Sequence, residues 1–537
     1  MLLFELIIAL LLIGAVLALF ADRSGVPYPA LLALAGALVA LVPGMPSVTL
    51  DPELALALFV APILVDAAYD ASPRDLKDNI VSVASLALIV VGLTVFGVAW
   101  VARQIVPEMP WAAAIALGAI VAPPDASAAT AVLSRLRPPH RLMVILEGES
   151  LFNDASALLV YRVAVGAAMT GVFSGWKMLP LLLLTCVGGV IAGIVLAKAY
   201  LWLTQRVTEI PIATLLQFIG TFAVWMLADR LGLSAIITTV AYAMTIARSA
   251  PGRVDGRHRI ASYAVWEVAV FVLNVLAFVL IGLQLRGILS RVHGDQWEIY
   301  GLCAAAVCAA VILIRIVWVM AYNWVIRWRV RRYGPRLPRP MMLPTVGGGI
   351  LIAWCGMRGI VTLATALALP DGAPDKAFPH RDLIIFCAFA VVLCTLVVQG
   401  MTLKPLMRML GLKDDGSVDR ELAVAREETS RAALRMLDEQ PPSEVVDVLR
   451  REYEERLRLG TAEINVEDAA RDEQGLAALQ QRAVAVQRRT LIDLRSRDVI
   501  GDTAFHAAEE EIDLLDLTAD VRIRPTLGNA ATPPPNG

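Results

Sequence analysis

The sequence predicts an all-α polytopic membrane protein. About thirteen transmembrane helices are expected ahead of a helical cytoplasmic tail. Two interrupted spans and a family resemblance, both given below, add the expectation of two inverted repeats with two discontinuous crossing helices. Three observations carry this prediction. The 537 residues are 58% hydrophobic and 18% charged, with a mean hydropathy of +0.66, against about 45–50% apolar and about 25% charged residues in soluble domains. The charge is uneven: residues 1–410 are mostly apolar, whereas 411–537 are dense in Arg, Glu and Asp, which sets the main domain boundary. Apolar runs close to the length of a bilayer crossing, about 20 residues, recur throughout the first part.

The first run, LLFELIIALLLIGAVLALF, lacks a basic leader and is about as long as a full span, so it reads as a retained helix and not a signal peptide. Further runs follow at roughly 28–44, 52–69, 79–102, 111–134, 142–170, 178–204, 211–228, 232–247, 261–285, 298–326, 343–369 and 382–407. The loops after spans 1, 3, 5, 7, 9 and 11 hold eighteen Lys and Arg, and the alternate loops hold seven. Excess Lys and Arg mark the cytoplasmic side, which puts the N-terminus outside and the tail inside.

Several function classes drop out on composition. Net charge is −2, so nothing points to nucleic acid. The six cysteines all fall inside predicted spans without a CxxC pair or a Cys/His cluster, and read as small buried apolar residues. The GGG at 347–349 lacks the Lys-Ser/Thr of a phosphate loop, and no dinucleotide fingerprint is present. The sequence therefore implies no enzyme chemistry, no cofactor and no visible drive by ATP.

The information lies in the ionisable residues inside the spans. Each costs about 2.5–3.5 kcal/mol at a helix centre on insertion scales and marks an ion or substrate path. They are Asp66 and Asp70 in span 3, Asp125 in span 5, Glu149, Asp154 and Arg162 in span 6, Glu267 in span 10, Arg315 in span 11 and Arg358 in span 12. Asp70 and Glu147 sit near the cytoplasmic edge, where a solvated helix end explains them equally well. Counting 1.5 Å per residue from each entry point puts Asp154, Asp125 and Arg358 near the midplane, on three different helices.

Helical spacing sorts the stretch EGESLFNDAS at 147–156. Glu147, Ser150 and Asp154 share one face, and Glu149 and Asn153 share a neighbouring one. One face can hold a cation or proton while the other holds the helix in place. Ser150 can also be an ordinary helix hydroxyl bonded to its own backbone. Two spans are interrupted. In APPDASAAT at 122–130, Pro123 and Pro124 remove backbone donors and leave Asp125 where a helix N-cap would stand. In CGMRG at 355–359, Gly356 and Gly359 flank Arg358. If spans 1–6 and 8–13 are repeats around span 7, the two breaks occupy equivalent positions, the sequence pointer to the binding site of an inverted-repeat transporter.

GESLFNDA at 148–155 resembles the Gly-Glu-Ser-Leu-Leu-Asn-Asp-Ala signature of the sodium/proton exchangers of the monovalent cation/proton antiporter-1 family. LVDAAY at 64–69, PPDASAATAVL at 123–133, WEVAVFVLNVLAFVLIGLQL at 266–285 and GMRGIVTLATALALP at 356–370 resemble further blocks of its bacterial branch, in the same order. The resemblance covers essentially all of 1–410. It implies that Asp154 exchanges a proton for a monovalent cation, with Asn153 and Asp125 flanking it at the crossing, Ser150 giving an oxygen and Asp66 a further ligand. It also implies a Glu149–Arg358 ion pair bracing the core, a six-helix core domain moving against a scaffold, and a homodimer. Asp66 stands where the family often has Glu. Many members have Thr-Asp-Pro at the first break, whereas here Pro124 precedes Asp125 and Ala126 follows it.

The chemistry is coherent without the family. A carboxylate in a low-dielectric cavity has its charged form disfavoured, so it either holds a proton or sheds it to bind a hard cation. Because the two states exclude each other, alternating access to the two sides yields exchange. The expected function is a secondary active antiporter of the cell (inner) membrane, exchanging Na⁺, or alternatively K⁺ or Li⁺, for H⁺ electroneutrally in pH and cation homeostasis. A cation channel, a sensor signalling through the tail and an intramembrane aspartyl protease using Asp125 and Asp154 are the rival classes; the protease's usual Tyr-Asp and Gly-x-Gly-Asp contexts are absent. The tail at 411–537 is expected to be helical at 444–459 and 476–497 and disordered at about 524–537.

Overall fold

The computed structural model describes residues 2–24, 27–42, 51–136, 138–171, 175–207, 209–249, 256–291, 296–334, 344–371, 378–462 and residue 487. The chain divides into two compact units, Met1–Asp414 and Asp415–Gly537. Among the described residues the first unit is helical throughout: α1 (Leu2–Ser24), α2 (Tyr28–Ala40), α3 (Pro52–Asp70), α4 (Pro73–Asp78), α5 (Ile80–Ile105), α6 (Trp111–Val121), α7 (Ala126–Leu136), α8 (His140–Thr170), α9 (Gly175–Thr204), α10 (Ile210–Arg230), α11 (Ala235–Ser249), α12 (Gly256–Leu283), α13 (Leu285–Leu289), α14 (Gln296–Tyr333), α15 (Val346–Trp354), α16 (Ile360–Leu367) and α17 (Arg381–Leu410).

Among the described residues nine helical stretches are long and apolar enough to cross a membrane, and three shorter apolar helices accompany them. Large hydrophobic side chains such as Leu12, Phe96, Trp202, Leu302 and Val317 are exposed. In a multi-pass membrane protein these outer faces meet acyl chains. The interior, by contrast, encloses Glu149, Asp154, Arg315 and Arg358.

Two apolar runs are each split into half-helices, as their Pro and Gly residues require. α6 ends at Val121 and α7 restarts at Ala126, because Pro123 and Pro124 cannot donate to the preceding turn. α15 ends at Trp354 and α16 restarts at Ile360 across the CGMRG stretch. Three other helices carry a π-helical turn: Leu56–Val60 in α3, Ser85–Val90 in α5 and Thr395–Gln399 in α17. Such turns insert one extra residue and occur often at functional sites.

α8 carries most of the singled-out polar residues and is anchored at both levels. At its start, His140 Nε2 lies 3.4 Å from Asp75 Oδ2 of α4, and Arg141 Nε donates to Asn79 Oδ1 at 2.9 Å. One turn after Asn153, Ser156 Oγ donates to Ala87 O at 2.7 Å, inside the π turn of α5. Toward its far end Arg162 pairs with Asp229 of α10 at 3.4 Å on the exposed surface.

The second unit contains α18 (Ser417–Asp438) and α19 (Glu444–Ala462), separated by a stretch holding Pro441 and Pro442. Arg450 bridges back to Asp438 at 2.6 Å, and Arg431 pairs with Glu427 and Glu428 along α18. The expected helix at 476–497, apart from residue 487, and the expected disorder at 524–537 lie outside the described residues.

α2 and α12 approach to backbone contact. A Cβ built on Gly36 would overlap Val279 O, and one on Gly282 would overlap Ala33 O. Gly282→Ala is therefore expected to overpack this seam by about 1–3 kcal/mol, read as a lower melting temperature in detergent. An unchanged melting temperature would mean that the two helices are not held this closely.

Candidate ion site at the crossing of the broken helices

The two breaks meet. Asp125 N donates to Met357 O at 2.6 Å, joining the first interruption to the second. The Asp125 carboxylate then turns onto α7: its Oδ1 accepts from Ser127 N at 2.9 Å and from Ser127 Oγ at 2.6 Å. Asp125 thus caps α7, answering one of the backbone donors a helix start leaves free and also taking the Ser127 hydroxyl. The same carboxylate lies against Gly359 so closely that a Cβ there would overlap it. Only glycine admits this approach.

α8 passes this crossing with three consecutive roles. Asn153 is fully buried and its Nδ2 donates to Pro124 O at 3.0 Å, an acceptor within the first break. Its Oδ1 is buried without a hydrogen-bond partner in the described structure. Asp154 is 6% exposed and faces Asp125 electrostatically. Ser150 is half-buried one turn earlier. Asp66 is half-buried on α3, with Asp70 and Glu267 as electrostatic neighbours. The geometry therefore gathers Asp125, Asn153 and Asp154, with Ser150 one turn away, and leaves Asp66 in a second, acidic group.

The expected Glu149–Arg358 pair is corrected. Glu149 is 1% exposed and is held by Arg315 of α14: Nη1 pairs with Oε1, and Nη2 donates to Oε2 at 2.8 Å. The same guanidinium donates to Ile352 O at 3.0 and 3.2 Å. Arg358 instead serves backbone. Its Nε donates to Val121 O at 2.9 Å, its Nη2 to Ala122 O at 3.2 Å and its Nη1 to Gly356 O. The physical reason is position. Arg358 lies inside the break, where the last carbonyls of α6 have no intrahelical donor, and a guanidinium with five donors answers several at once.

The two buried arginines thus divide the work. Arg358 terminates α6, and Arg315 terminates α15 through Ile352 O while fixing α8 through Glu149. Cations at helix C-termini also oppose the dipole charge there. Sequence reasoning lists Arg315 among the intramembrane charges but gives it no partner. With two arginines and one deep glutamate at similar depth, spacing cannot choose between the pairings. It also passes over Thr395, whose Oγ1 accepts from Arg358 N at 3.0 Å. A lone Thr in an apolar run carries no signal of that kind.

These bonds predict a specific pattern of coupling. Removing one partner of a buried ion pair typically costs about 3–5 kcal/mol. Glu149→Ala and Arg315→Ala are each expected to lower the melting temperature strongly, and the double variant to recover part of the loss in a double-mutant cycle. Glu149→Ala with Arg358→Ala should show the smaller coupling. A larger coupling to Arg358 would restore the pairing that the structure rejects. Gly359→Ala should displace the Asp125 carboxylate and destabilise the crossing, and a variant as stable as the parent would contradict the close approach.

Comparison with known proteins agrees with this architecture. The family model described as "Sodium/hydrogen exchanger, transmembrane" matches residues 7–409. A Na⁺/H⁺ exchanger of Mycobacterium tuberculosis is 30% identical over 96% of this chain and 97% of its own length. A sodium, potassium, lithium and rubidium/H⁺ antiporter of Bacillus pumilus is 30% identical over 77% of this chain and 62% of its own. The sodium proton antiporter MjNhaP1 of Methanocaldococcus jannaschii has a similar fold, with a TM-score of 0.58 at 19% identity over 76% of this chain and all of that one. With its paired breaks and buried carboxylates inside the matched region, the chain belongs to the sodium/hydrogen exchanger family.

Proposed function

We propose that this protein is a secondary active antiporter that exchanges Na⁺ for H⁺ across the cell (inner) membrane, and that Asp154 is the group that alternates between them. The observation that carries the reading is the burial of Asp154 beside Asp125 at the meeting point of two broken helices. Two carboxylates facing each other in a water-poor site favour a bound positive charge between them, supplied by a proton or by a cation. Asp154, Asp125 and Ser150 offer oxygens to the cation, and the unpartnered Oδ1 of Asn153 offers another. Asp66, in its acidic group with Asp70 and Glu267, is a further ligand or a staging point on the path.

In this reading thirteen crossings form two inverted repeats, the N-terminus lies outside and the tail at 411–537 is cytoplasmic. A core containing both breaks moves against a scaffold within a homodimer, so that the site opens to one side at a time. Asn153 is a neutral amide, so Asp154 alone changes charge beside it. That supports one proton per monovalent cation, electroneutral exchange, and a role in pH and cation homeostasis. K⁺ is the second reading for the cargo. It is favoured by the Pro124-Asp125-Ala126 sequence, which puts no threonine hydroxyl at the break, and by the range of cations in the name of the Bacillus pumilus relative.

Dye-monitored proton movement in proteoliposomes, challenged in turn with Na⁺, K⁺ and Li⁺, tests the function directly. A cation-driven proton flux is expected for Na⁺. Current without proton movement would identify a channel instead. Asp154→Asn is expected to abolish the flux while leaving the melting temperature near that of the parent, because an amide cannot cycle its charge. Substantial remaining exchange would move the proton site to Asp125. Collapsing the membrane potential with an ionophore is expected to leave the equilibrium point unchanged, and a potential-dependent equilibrium would overturn the one-for-one stoichiometry.

A further inference from the structure

α14 is 38 residues long, about 57 Å at 1.5 Å per residue, against about 30 Å of hydrocarbon in a bilayer. Its surplus lies at the C-terminal end. Buried Arg315, which holds Glu149 of α8, marks the deep part of the helix. Arg327 follows twelve residues later, about 18 Å further along the axis. From there to Tyr333 the sequence RWRVRRY carries four arginines and no acid. Arg329, Arg331 and Arg332 are exposed, and Arg327 is half-buried. Among the described residues none of the four joins a hydrogen bond or an ion pair.

The rotation of this stretch is fixed from its inner side. Asn323 is buried, and its Nδ2 donates to Thr345 O at 2.8 Å, at the N-cap of α15. A Cβ on Gly349 of α15 would overlap the same amide nitrogen, so the two helices touch here. The opposite side of α14 therefore points outward. Leu302, Leu313, Val317, Trp324 and Trp328 are all exposed, and at about 100° per residue they fall on one stripe about 80° wide. Arg331 continues that stripe, and Arg327 and Arg332 flank it. In a multi-pass membrane protein the stripe meets acyl chains, so its continuation reaches the headgroups. The general excess of Lys and Arg on one side of a membrane accounts for basic residues after a span. It asks neither that they prolong the helix nor that they share its acyl-facing stripe with tryptophans.

We propose that the C-terminal end of α14 is a binding site for phospholipid headgroups of net negative charge. The planar guanidinium forks of Arg327, Arg331 and Arg332 match phosphate oxygens, two N–H donors to two oxygens. Trp324 and Trp328 bring indole rings to the interface, where an apolar body and a single N–H donor are both accommodated. A zwitterionic lipid presents the same phosphate beside a compensating ammonium. The uncompensated positive charge of the arm therefore selects anionic headgroups, as basic clusters at the end of a span do. Because Asn323 ties this stretch to Thr345, a lipid bound here also restrains the start of α15, the half-helix that leads into the second break. Nothing in this site depends on which ion is exchanged, or on exchange itself.

The test uses the full chain in nanodiscs of phosphatidylcholine doped with a phosphatidylglycerol probe that carries a photoactivatable diazirine beside its headgroup. A matched phosphatidylcholine probe serves for comparison. Peptide mapping by mass spectrometry is expected to place severalfold more label on residues 324–333 with the anionic probe. Raising the salt from about 0.05 to about 0.5 M should remove most of that excess, because screening shortens the reach of exposed charges. Equal labelling by the two probes, or an excess that salt leaves unchanged, would overturn the proposal. In detergent, added phosphatidylglycerol should raise the melting temperature of the parent by several degrees. It should leave that of the variant Arg327→Gln, Arg331→Gln, Arg332→Gln unchanged, and an equal rise in both would sink the proposal as well. The acidic part of the same chain is the competing occupant. No excess of anionic label, together with faster hydrogen exchange over 417–462 in the variant, would assign the arginines to the tail instead. The labelling of the parent needs neither a variant nor transport, so it stands apart from any failure of the antiport reading.

Discussion

The structure depends on terminating helices where there is no water. A helix that stops inside a bilayer leaves several N–H or C=O groups without partners, and each unsatisfied group there costs several kcal/mol. Two interrupted helices create four such ends. Arg358 takes the carbonyls at Val121 and Ala122, Arg315 takes the carbonyl at Ile352, and Asp125 takes the Ser127 N–H at the start of α7. The remaining start, at Ile360, has no side chain of its own at the cap, because that position is Gly359, and the Asp125 carboxylate lies against it. The charges that hold the interrupted backbone together are therefore also the charges that define the electrostatics of the site.

This double use explains why the buried charges differ in kind. Glu149 and Arg315 neutralise each other bidentately, and the remaining guanidinium donors go to backbone, so that group is closed. Arg358 is spent on carbonyls. Asp154 has no such salt bridge among the described residues; it faces another carboxylate. Asp154 is thus an acid left unneutralised by its own scaffold, because both arginines are committed elsewhere.

Much of this was legible in the sequence, for a physical reason. Lipid forbids unpaired backbone and isolated charge, so the positions of Pro123, Pro124, Gly356 and Gly359 and of nine intramembrane ionisable residues sufficed to find both breaks and to bring Asp125 and Asp154 to one level. Pairing was not legible. Glu149 could have met either Arg315 or Arg358, and only three-dimensional placement, with Arg358 drawn to open carbonyls, decides for Arg315. A contact between residues far apart in sequence and plain in character, such as Thr395 with the Arg358 amide, leaves no periodic trace. In the sequence Gly359 reads as part of an interrupted span, whereas its second role, making room for a carboxylate, depends on a partner from another segment.

The hydrogen bond from Asp125 N to Met357 O has a mechanical meaning. It is a stitch between two segments that have no helical ladder of their own at that point, reinforced by the hold of Arg358 on the end of α6. Pulling one interruption away from the other would strand a donor and several acceptors in hydrocarbon. Sliding both together strands none. The cheap displacement of the stitched crossing is therefore as one body, which leaves the spacing of Asp125 and Asp154 unchanged.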